Sequence, residues 1–471
     1  MQRKRSSASS TKPLALALGL LALSSCGIYS RYQRPMGITT EVYRTDQAAL
    51  ASADSSTSLG RLPWRQLFTD PQLQQLVEEA LRQNVDLQTA ALSVRQAEAQ
   101  LKAARLSFFP SLSLAPSVST RKSEGADATH SYELPVQASW QVDLFGALLN
   151  ASRSTQVQLL RAQEYQRLVQ SRLIASVANG YYTLLMLDRQ LALSQEAAQL
   201  AQRTLEVMQA QKEHGRALES AVQSARAALH QVQASLPEIK RQRIAAENSL
   251  ALLLGQSPRS YERSTLEAQR LPEQLSVGLP IQLLSQRPDV RVAELALASC
   301  YYQTNAARSA FYPTLSISGS LGWVGSLGQA VANPMRLVSS AVGALAQPIF
   351  ARGRLVAGLR VAEAEQKKAL LAFQQSLLSA GAEVSNALAL YEASTERVAE
   401  ETKQIESLKA NVAITEELFR SGRSSSYLEV ISAQQTLLQA QLTEVRDRFS
   451  RMQAVVNLYN ALGGGADTVK P

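Results

Sequence analysis

The amino-acid sequence predicts a mainly α-helical chain built from two copies of one unit, each combining long coiled-coil helices with a pair of β-strands. Three observations lead to this fold class. Proline is missing from two stretches of about 100 residues or more, between Pro135 and Pro237 and between Pro348 and Pro471. Turn-forming motifs recur at a nearly constant offset, and short segments alternate between apolar and polar residues.

Composition excludes several classes of protein. Two Cys and three His among 471 residues leave no disulfide framework and no Cys/His zinc module. The sequence holds no nucleophile elbow, phosphate-binding loop or His-Glu-x-x-His motif, and we interpret Cys300 as a small apolar helix residue. No Lys/Arg stripe with interleaved aromatic residues is present, so we predict no nucleic-acid partner. We expect neither catalytic nor metal-binding residues.

Residues 1–25 are predicted to be a signal peptide. An apolar run over residues 14–23 follows a basic start and is too short to cross a bilayer as a helix. It ends in Leu-Ser-Ser-Cys-Gly, which resembles a bacterial lipoprotein signal, and Cys26 would then be the lipidated first residue of an N-terminal segment 26–69. A cysteine placed there by chance is the alternative. Removing the signal takes away four positive charges and no acid, which lowers the net charge from +9 to +5.

The internal duplication rests on motifs that recur in one register. We predict a first repeat over residues 70–255, a linker over 256–280, a second repeat over 281–463 and a tail over 464–471. Four motif pairs carry this prediction: Asn84-Val85-Asp86-Leu87 with Arg287-Pro288-Asp289-Val290 and Phe109-Pro110 with Tyr312-Pro313 at an offset of 203, His214-Gly215 with Ser421-Gly422 at 207, and Leu254-Gly255 with Leu462-Gly463 at 208.

The helices are predicted from their caps and from heptad spacing. Asp70 as N-cap and Pro71 at the first helical position begin a helix that we expect to run unbroken to about Phe108. The other helices are predicted at about 145–213, 219–254, 354–420 and 427–462. A coiled-coil seam is predicted by an apolar residue at every seventh position: Leu370, Leu377, Val384, Tyr391, Val398, Ile405, Val412 and Phe419. The positions offset from this series are smaller or mixed and include Glu401.

Strands are predicted between the helices, at about 111–120 and 132–144 in the first repeat and 314–324 and 338–350 in the second. From Tyr132 onward seven apolar residues alternate with polar ones, which gives a strand long enough to cross a membrane when tilted. A half-buried soluble hairpin is the alternative. Four strands cannot close a membrane barrel and an open sheet in lipid leaves unpaired edges, so spanning strands require an oligomer. Three chains would supply twelve strands and leave room for a pore.

The ordered motifs of the mature chain resemble those of one family. They are Tyr32-Gln33-Arg34-Pro35, Trp64-Arg65-Gln66-Leu67-Phe68-Thr69-Asp70-Pro71, Asp143-Leu144-Phe145-Gly146, Gln286-Arg287-Pro288-Asp289-Val290, Pro348-Ile349-Phe350 and Tyr427-Leu428-Glu429-Val430-Ile431-Ser432-Ala433-Gln434. On these residues the sequence resembles the outer-membrane factors, the TolC-like and OprM-like channels of tripartite efflux pumps, in their lipoprotein branch.

The resemblance implies an architecture and a set of partners. The fold would be a homotrimer, with a twelve-stranded barrel in the outer membrane on a twelve-helix periplasmic tunnel. It would passively conduct drugs or other small molecules from an RND-type inner-membrane transporter, through a periplasmic adaptor (membrane fusion) protein. No cofactor is implied beyond covalent lipid on Cys26, an N-acyl chain and an S-diacylglycerol in the outer membrane. The alternatives are the channel of a type I protein-secretion system and a periplasmic adaptor or scaffold lipoprotein.

The resemblance also implies where a gate would lie. Acidic residues on the return helix of the second hairpin face the pore in the family, and Glu429 stands at one such position. Ser432 stands where many relatives have Asp, so a second acidic ring is missing. The gate candidates are Arg423, Tyr427, Leu428, Glu429 and Ser432, and the hairpin turns expected to contact the adaptor contain Gly215 and Gly422. The alternative for Glu429 is a solvated residue of the helix face.

Overall fold

The computed structural model describes residues 28–35, 59–122, 124–125, 128–270, 287–326, 336–421 and 426–466. The predicted signal peptide, Cys26, Gly422 and Arg423 lie outside the described residues. In chain order the helices are α1 Trp64–Leu67, α2 Pro71–Gln83, α3 Val85–Leu106, α4 Ala147–Glu213, α5 Glu219–Leu253, α6 Pro288–Ser309, α7 Arg354–Arg420 and α8 Tyr427–Ala461. The strands are β1 Ser111–Leu114, β2 Ser117–Arg121, β3 Thr129–Val142, β4 Thr314–Ser326 and β5 Arg336–Ala346.

The helix lengths confirm the predicted duplication. Helices α3 and α6 each have 22 residues, α4 and α7 each have 67, and α5 and α8 each have 35. Corresponding helix ends carry the same turn, because Gly255 and Gly463 both adopt left-handed backbone angles, with φ of +65° and +83°. A residue after each glycine donates a backbone hydrogen bond five residues back, at 2.9 Å in both cases. The two repeats therefore share element order, helix lengths and helix-terminating geometry.

The start of the first helix is confirmed, but its continuity was wrongly predicted. Asp70 is the N-cap of α2, and its side chain accepts a hydrogen bond from the Gln72 backbone N–H at 2.9 Å. Asn84 then interrupts the helix with extended backbone angles. Its side-chain oxygen accepts from the Leu87 N–H at 2.9 Å and its amide donates to the Leu253 carbonyl at 3.0 Å. Asn84 is thus the cap of a second helix, because a short amide side chain competes well for the first free N–H groups.

The sheet has the strand order β1-β3-β4-β5, all antiparallel, with β2 also paired to β3. The predicted apolar series of β3 and β4 lie opposite each other, with Leu134 facing Trp323 and Val136 facing Leu321. One face of the sheet is therefore apolar along its length. The side chains of Trp140, Trp323 and Leu321 on this face are 37% to 52% exposed within the chain.

The strand boundaries differ from the sequence expectation at several points. The predicted strand 111–120 is two strands, because Pro116 has no N–H to donate and separates β1 from β2. Strand β3 ends at Val142, two residues earlier than expected, and β5 ends at Ala346 and leaves Pro348-Ile349-Phe350 outside the sheet. In β5, the face that contains Leu337 and Leu345 joins the apolar face of β4.

The chain forms two compact units. One contains the sheet and includes Leu92–Gln163 and Val292–Gln375; the other is helical and includes Glu164–Arg291 and Ser376–Pro471. The helical unit holds a large apolar core around Tyr181, Leu184 and Val455, each fully buried or nearly so. In the part of the chain that the structure describes, none of the helices combines the length and apolar character needed to cross a lipid bilayer.

The predicted seam of α7 points inward. All eight heptad residues are buried or partly buried, and the offset residues Phe373, Ala380, Ala387 and Ser394 are buried as well. Three of these four offset residues are small, which lets helix backbones approach closely. The seam therefore explains how a chain with 6% aromatic residues fills its helical core.

Candidate functional site

Helix α8 begins at Tyr427, and a capping box holds its first turn. The Ser426 hydroxyl accepts a hydrogen bond from the Leu428 backbone N–H at 3.3 Å, and the Glu429 carboxylate accepts one from the Ser426 backbone N–H at 3.2 Å. These reciprocal bonds satisfy N–H groups that the start of a helix leaves without an intrahelical partner. Glu429 therefore fixes the start of α8 in addition to any effect of its charge.

Three of the four gate candidates on α8 share an exposed helix face. Glu429 and Ser432 are exposed and lie three residues apart, and exposed Thr436 follows four residues later. Leu428 beside them is 55% exposed, whereas Tyr427 is partly buried. The structure thus brings Glu429, Ser432 and Leu428 to one surface at the turn and directs Tyr427 inward.

An apolar cluster beneath this surface joins the ends of both helical hairpins. Tyr427 and Phe419, from the two sides of the second turn, pack against it, as does Ala217, two residues after Gly215. Its buried members come from α4, α5 and α8: Ala201, Leu205, Met208, Ala221, Val222, Ala225, Ala228, Leu229 and Ile431. The inward ring of Tyr427 therefore links the start of α8 to the first hairpin.

A polar contact between the hairpins lies one helical turn beyond Val430. The Gln434 side-chain amide donates to the Glu416 carboxylate at 2.8 Å and contacts the Thr204 hydroxyl at 3.1 Å. These side chains belong to α8, α7 and α4, so one amide joins three helices. This network could not be predicted from the sequence, because nothing there distinguishes Gln434 from the many other helical Gln residues.

The first hairpin turn is built around Gly215. Its φ of +72° is in the left-handed region, and an added Cβ would meet nothing within 4 Å. Across the turn Lys212 pairs with Glu219, and the hydrogen bond from Lys212 holds the pKa of the exposed Glu219 carboxyl below its usual value. Gly215 therefore lies in an open, left-handed turn, as its predicted place between two helices requires.

The two units together define a class of protein. One unit presents a sheet with an exposed apolar face, and the other holds most of two long helical hairpins, which share an apolar cluster near Ala217 and Tyr427. These features agree with the outer-membrane exit ducts that the sequence resemblance implied.

Comparisons with known proteins identify the family. The sequence profile described as "Outer membrane efflux protein" matches residues 76–256 and 279–464, one match in each repeat. The cation efflux system protein CusC of Escherichia coli O6:H1 is 30% identical over 449 residues, 94% of this chain and 97% of CusC. The probable outer membrane lipoprotein SilC of Salmonella typhimurium is 27% identical over 95% of this chain and 97% of SilC. The crystal structure of the open-state outer membrane channel MtrE of Neisseria gonorrhoeae superposes with a TM-score of 0.83 at 27% identity, covering 93% of this chain and 98% of MtrE.

The chain therefore belongs to the outer membrane efflux protein family. It is an outer-membrane efflux channel of the kind used by tripartite pumps, and it resides in the outer membrane and extends into the periplasm.

Proposed function

We propose that three copies of this chain form one exit duct, which passively conducts small molecules delivered by an RND-type inner-membrane transporter through a periplasmic adaptor. The observation that supports this assembly is the sheet: its apolar face is exposed, and its outer strands, β1 with β2 on one side and β5 on the other, each pair on one side only among the described residues. An unpaired edge in lipid costs several kcal/mol per lost hydrogen bond, roughly. Neighbouring copies would remove both edges, and three copies give the strand number that leaves a pore.

The trimer is tested by purifying the chain in mild detergent and measuring its mass and its conductance in planar bilayers. We expect a detergent-resistant trimer that conducts ions. A monomer without conductance would contradict the proposal.

The proposed periplasmic gate is the α8 face with Glu429 and Ser432, restrained by Tyr427 and by Arg423 in the preceding turn. Three copies would place three Glu429 carboxylates around the axis, where their mutual repulsion and attraction for cations suit a constriction. The apolar cluster under Tyr427 supports this role, because it couples the face to the first hairpin.

The hairpin turns at Gly215 and Gly422 are the proposed adaptor contacts. The open turn at Gly215, with space for a side chain, supports this assignment. Gly215→Trp should block adaptor binding in a pull-down without changing the trimer. Retained adaptor binding would contradict the assignment.

Cys26 is the proposed lipid attachment site. A relative named as a probable outer membrane lipoprotein supports it. Mass spectrometry of the mature chain should find a diacylglycerol and an acyl chain at the N-terminus, and Cys26→Ser should carry neither. Acyl chains retained by the variant would refute the assignment.

The cargo follows from the transporter that delivers it. CusC is named a cation efflux system protein, which supports a pump for small solutes such as cations, and a type I protein-secretion channel is the alternative. Cross-linking in cells and identification of the co-purified transporter decides between them. An ABC-type protein exporter as the sole partner would favour secretion.

A further inference from the structure

Glu401 occupies a position where the seam of α7 otherwise holds small or apolar residues. It follows Phe373, Ala380, Ala387 and Ser394 in the offset series, all of them buried. Glu401 itself is partly buried, and its Oε2 atom has no solvent contact. A carboxyl group at such a position costs stability as an anion, because burial removes its hydration.

The partner of Glu401 is a second carboxyl group on α8. Asp447 is only 3% exposed, and its Oδ2 atom pairs with Arg397 Nη2 at 2.5 Å. Within the described residues, the buried Glu401 Oε2 has no hydrogen-bond donor. A buried carboxyl oxygen without a donor, next to a second carboxyl group, is satisfied when one of the two groups carries a proton, since the acid then donates to the carboxylate.

The surrounding charges favour the proton on Glu401. Burial, the hydrogen bond with Asp447 and the Asp447 charge raise the pKa of Glu401 to about 7. Arg397 on the same helix lowers this pKa, and Glu444 on α8 raises it. Glu444 is itself paired with Arg448, so its carboxylate is compensated locally.

We propose that Glu401 and Asp447 form a proton-sharing carboxyl pair that holds α7 against α8 at acidic pH and weakens this contact as the pH rises above neutrality. Below about pH 6 the protonated Glu401 donates to Asp447; above about pH 8 two carboxylates face each other with Arg397 as the shared cation. Because Glu429 lies on the same hairpin, the effect of the pair on conductance rests on the proposed function. The effect on helix packing does not.

Helix packing is measured by hydrogen–deuterium exchange of the full-length protein in detergent, corrected for the intrinsic pH dependence of amide exchange. In peptides around residues 395–405 and 441–451, we expect protection to fall roughly three- to tenfold between about pH 6 and pH 8, less than the raised pKa alone implies because Glu401 is partly hydrated. Glu401→Gln should abolish this fall, since its amide still donates to Asp447 and does not ionise. Glu400→Gln is the matched control, because Glu400 is exposed and pairs with Lys403, and it should behave as wild type.

A second variant makes the test independent of the first. Asp447→Asn removes the neighbouring charge, so the transition should move to lower pH. An unchanged pH response in Glu401→Gln or an unmoved transition in Asp447→Asn would overturn the proposal. Single-channel recordings form a separate arm: a wild-type chain without conductance would refute the exit duct and leave the exchange result standing by itself.

Discussion

Glu429 combines a charge with a helix cap, and substitutions can separate the two. Glu429→Ala removes both, Glu429→Gln removes the charge and retains a side chain that can complete the capping box, and Ser426→Ala weakens the cap and keeps the charge. The two capping hydrogen bonds are 3.2 and 3.3 Å long. Their length places the loss of one at the low end of measured caps, about 0.5–1 kcal/mol. That energy increases the population of the frayed first turn roughly two- to fivefold.

Single-channel recording in planar bilayers, with and without divalent cations, measures both effects. Glu429→Ala and Glu429→Gln should each reduce cation block, because the ring loses its three charges. Glu429→Ala and Ser426→Ala should increase brief openings by the same two- to fivefold, approximately, and Glu429→Gln should not. Glu417→Gln, an exposed carboxyl group at the end of α7, serves as the control. Cation block that survives in Glu429→Gln would refute the charged ring, and unaltered openings in Ser426→Ala would refute the cap.

Three further predictions concern the two units. Asp70→Ala removes the cap of α2 and the acceptor of the Tyr181 hydroxyl at 2.7 Å. In denaturant unfolding it should lower the free energy of unfolding by about 2–4 kcal/mol, and Asp70→Asn should lower it less. A decrease below about 1 kcal/mol for Asp70→Ala would contradict this prediction. Burial raises the pKa of Asp70, but hydrogen bonds led by those from Ser264 and Tyr181 outweigh burial, so the pKa is lowered. The free energy of unfolding should therefore decrease as the pH is lowered below about 4. In acid titrations Asp70→Asn should flatten this decrease. Gly322→Ala would place a Cβ 2.3 Å from the Pro135 Cα and should prevent trimer assembly, as measured by native gel electrophoresis. In the control Gly343→Ala, the added Cβ meets nothing within 4 Å, and the trimer should form. Equal assembly of both variants would refute the close approach at Gly322.

The long helices could be predicted from the sequence because the positions of Pro and Gly and the heptad spacing of apolar residues indicated the same helix boundaries. Helix α7 begins at Arg354 and ends at Arg420, as the proline-free stretch and its heptads indicated. Helix α5 likewise begins at Glu219, just past the Gly215 turn. In such segments the local preference and the tertiary packing point to the same structure, so a single sequence suffices.

Other features depend on contacts that a single sequence does not reveal. The break at Asn84 is stabilised by the Leu253 carbonyl, which is distant in sequence. The Ser-x-x-Glu pattern of 426–429, in contrast, is a capping-box signal in the sequence itself, so this cap could be predicted from the sequence. The buried Asp447 beside Glu401 could not be anticipated, because pairing across α7 and α8 depends on their relative register.

The equal residue counts of the two hairpins have a consequence for how this chain can change. Helices α4 and α7 both have 67 residues, and α5 and α8 both have 35. Each inserted residue would advance a helix by 1.5 Å and rotate everything after it by about 100°. Equal length therefore keeps the side chains of the two hairpins in matching register, and we expect an insertion in one hairpin to be tolerated only when the other gains the same number of residues.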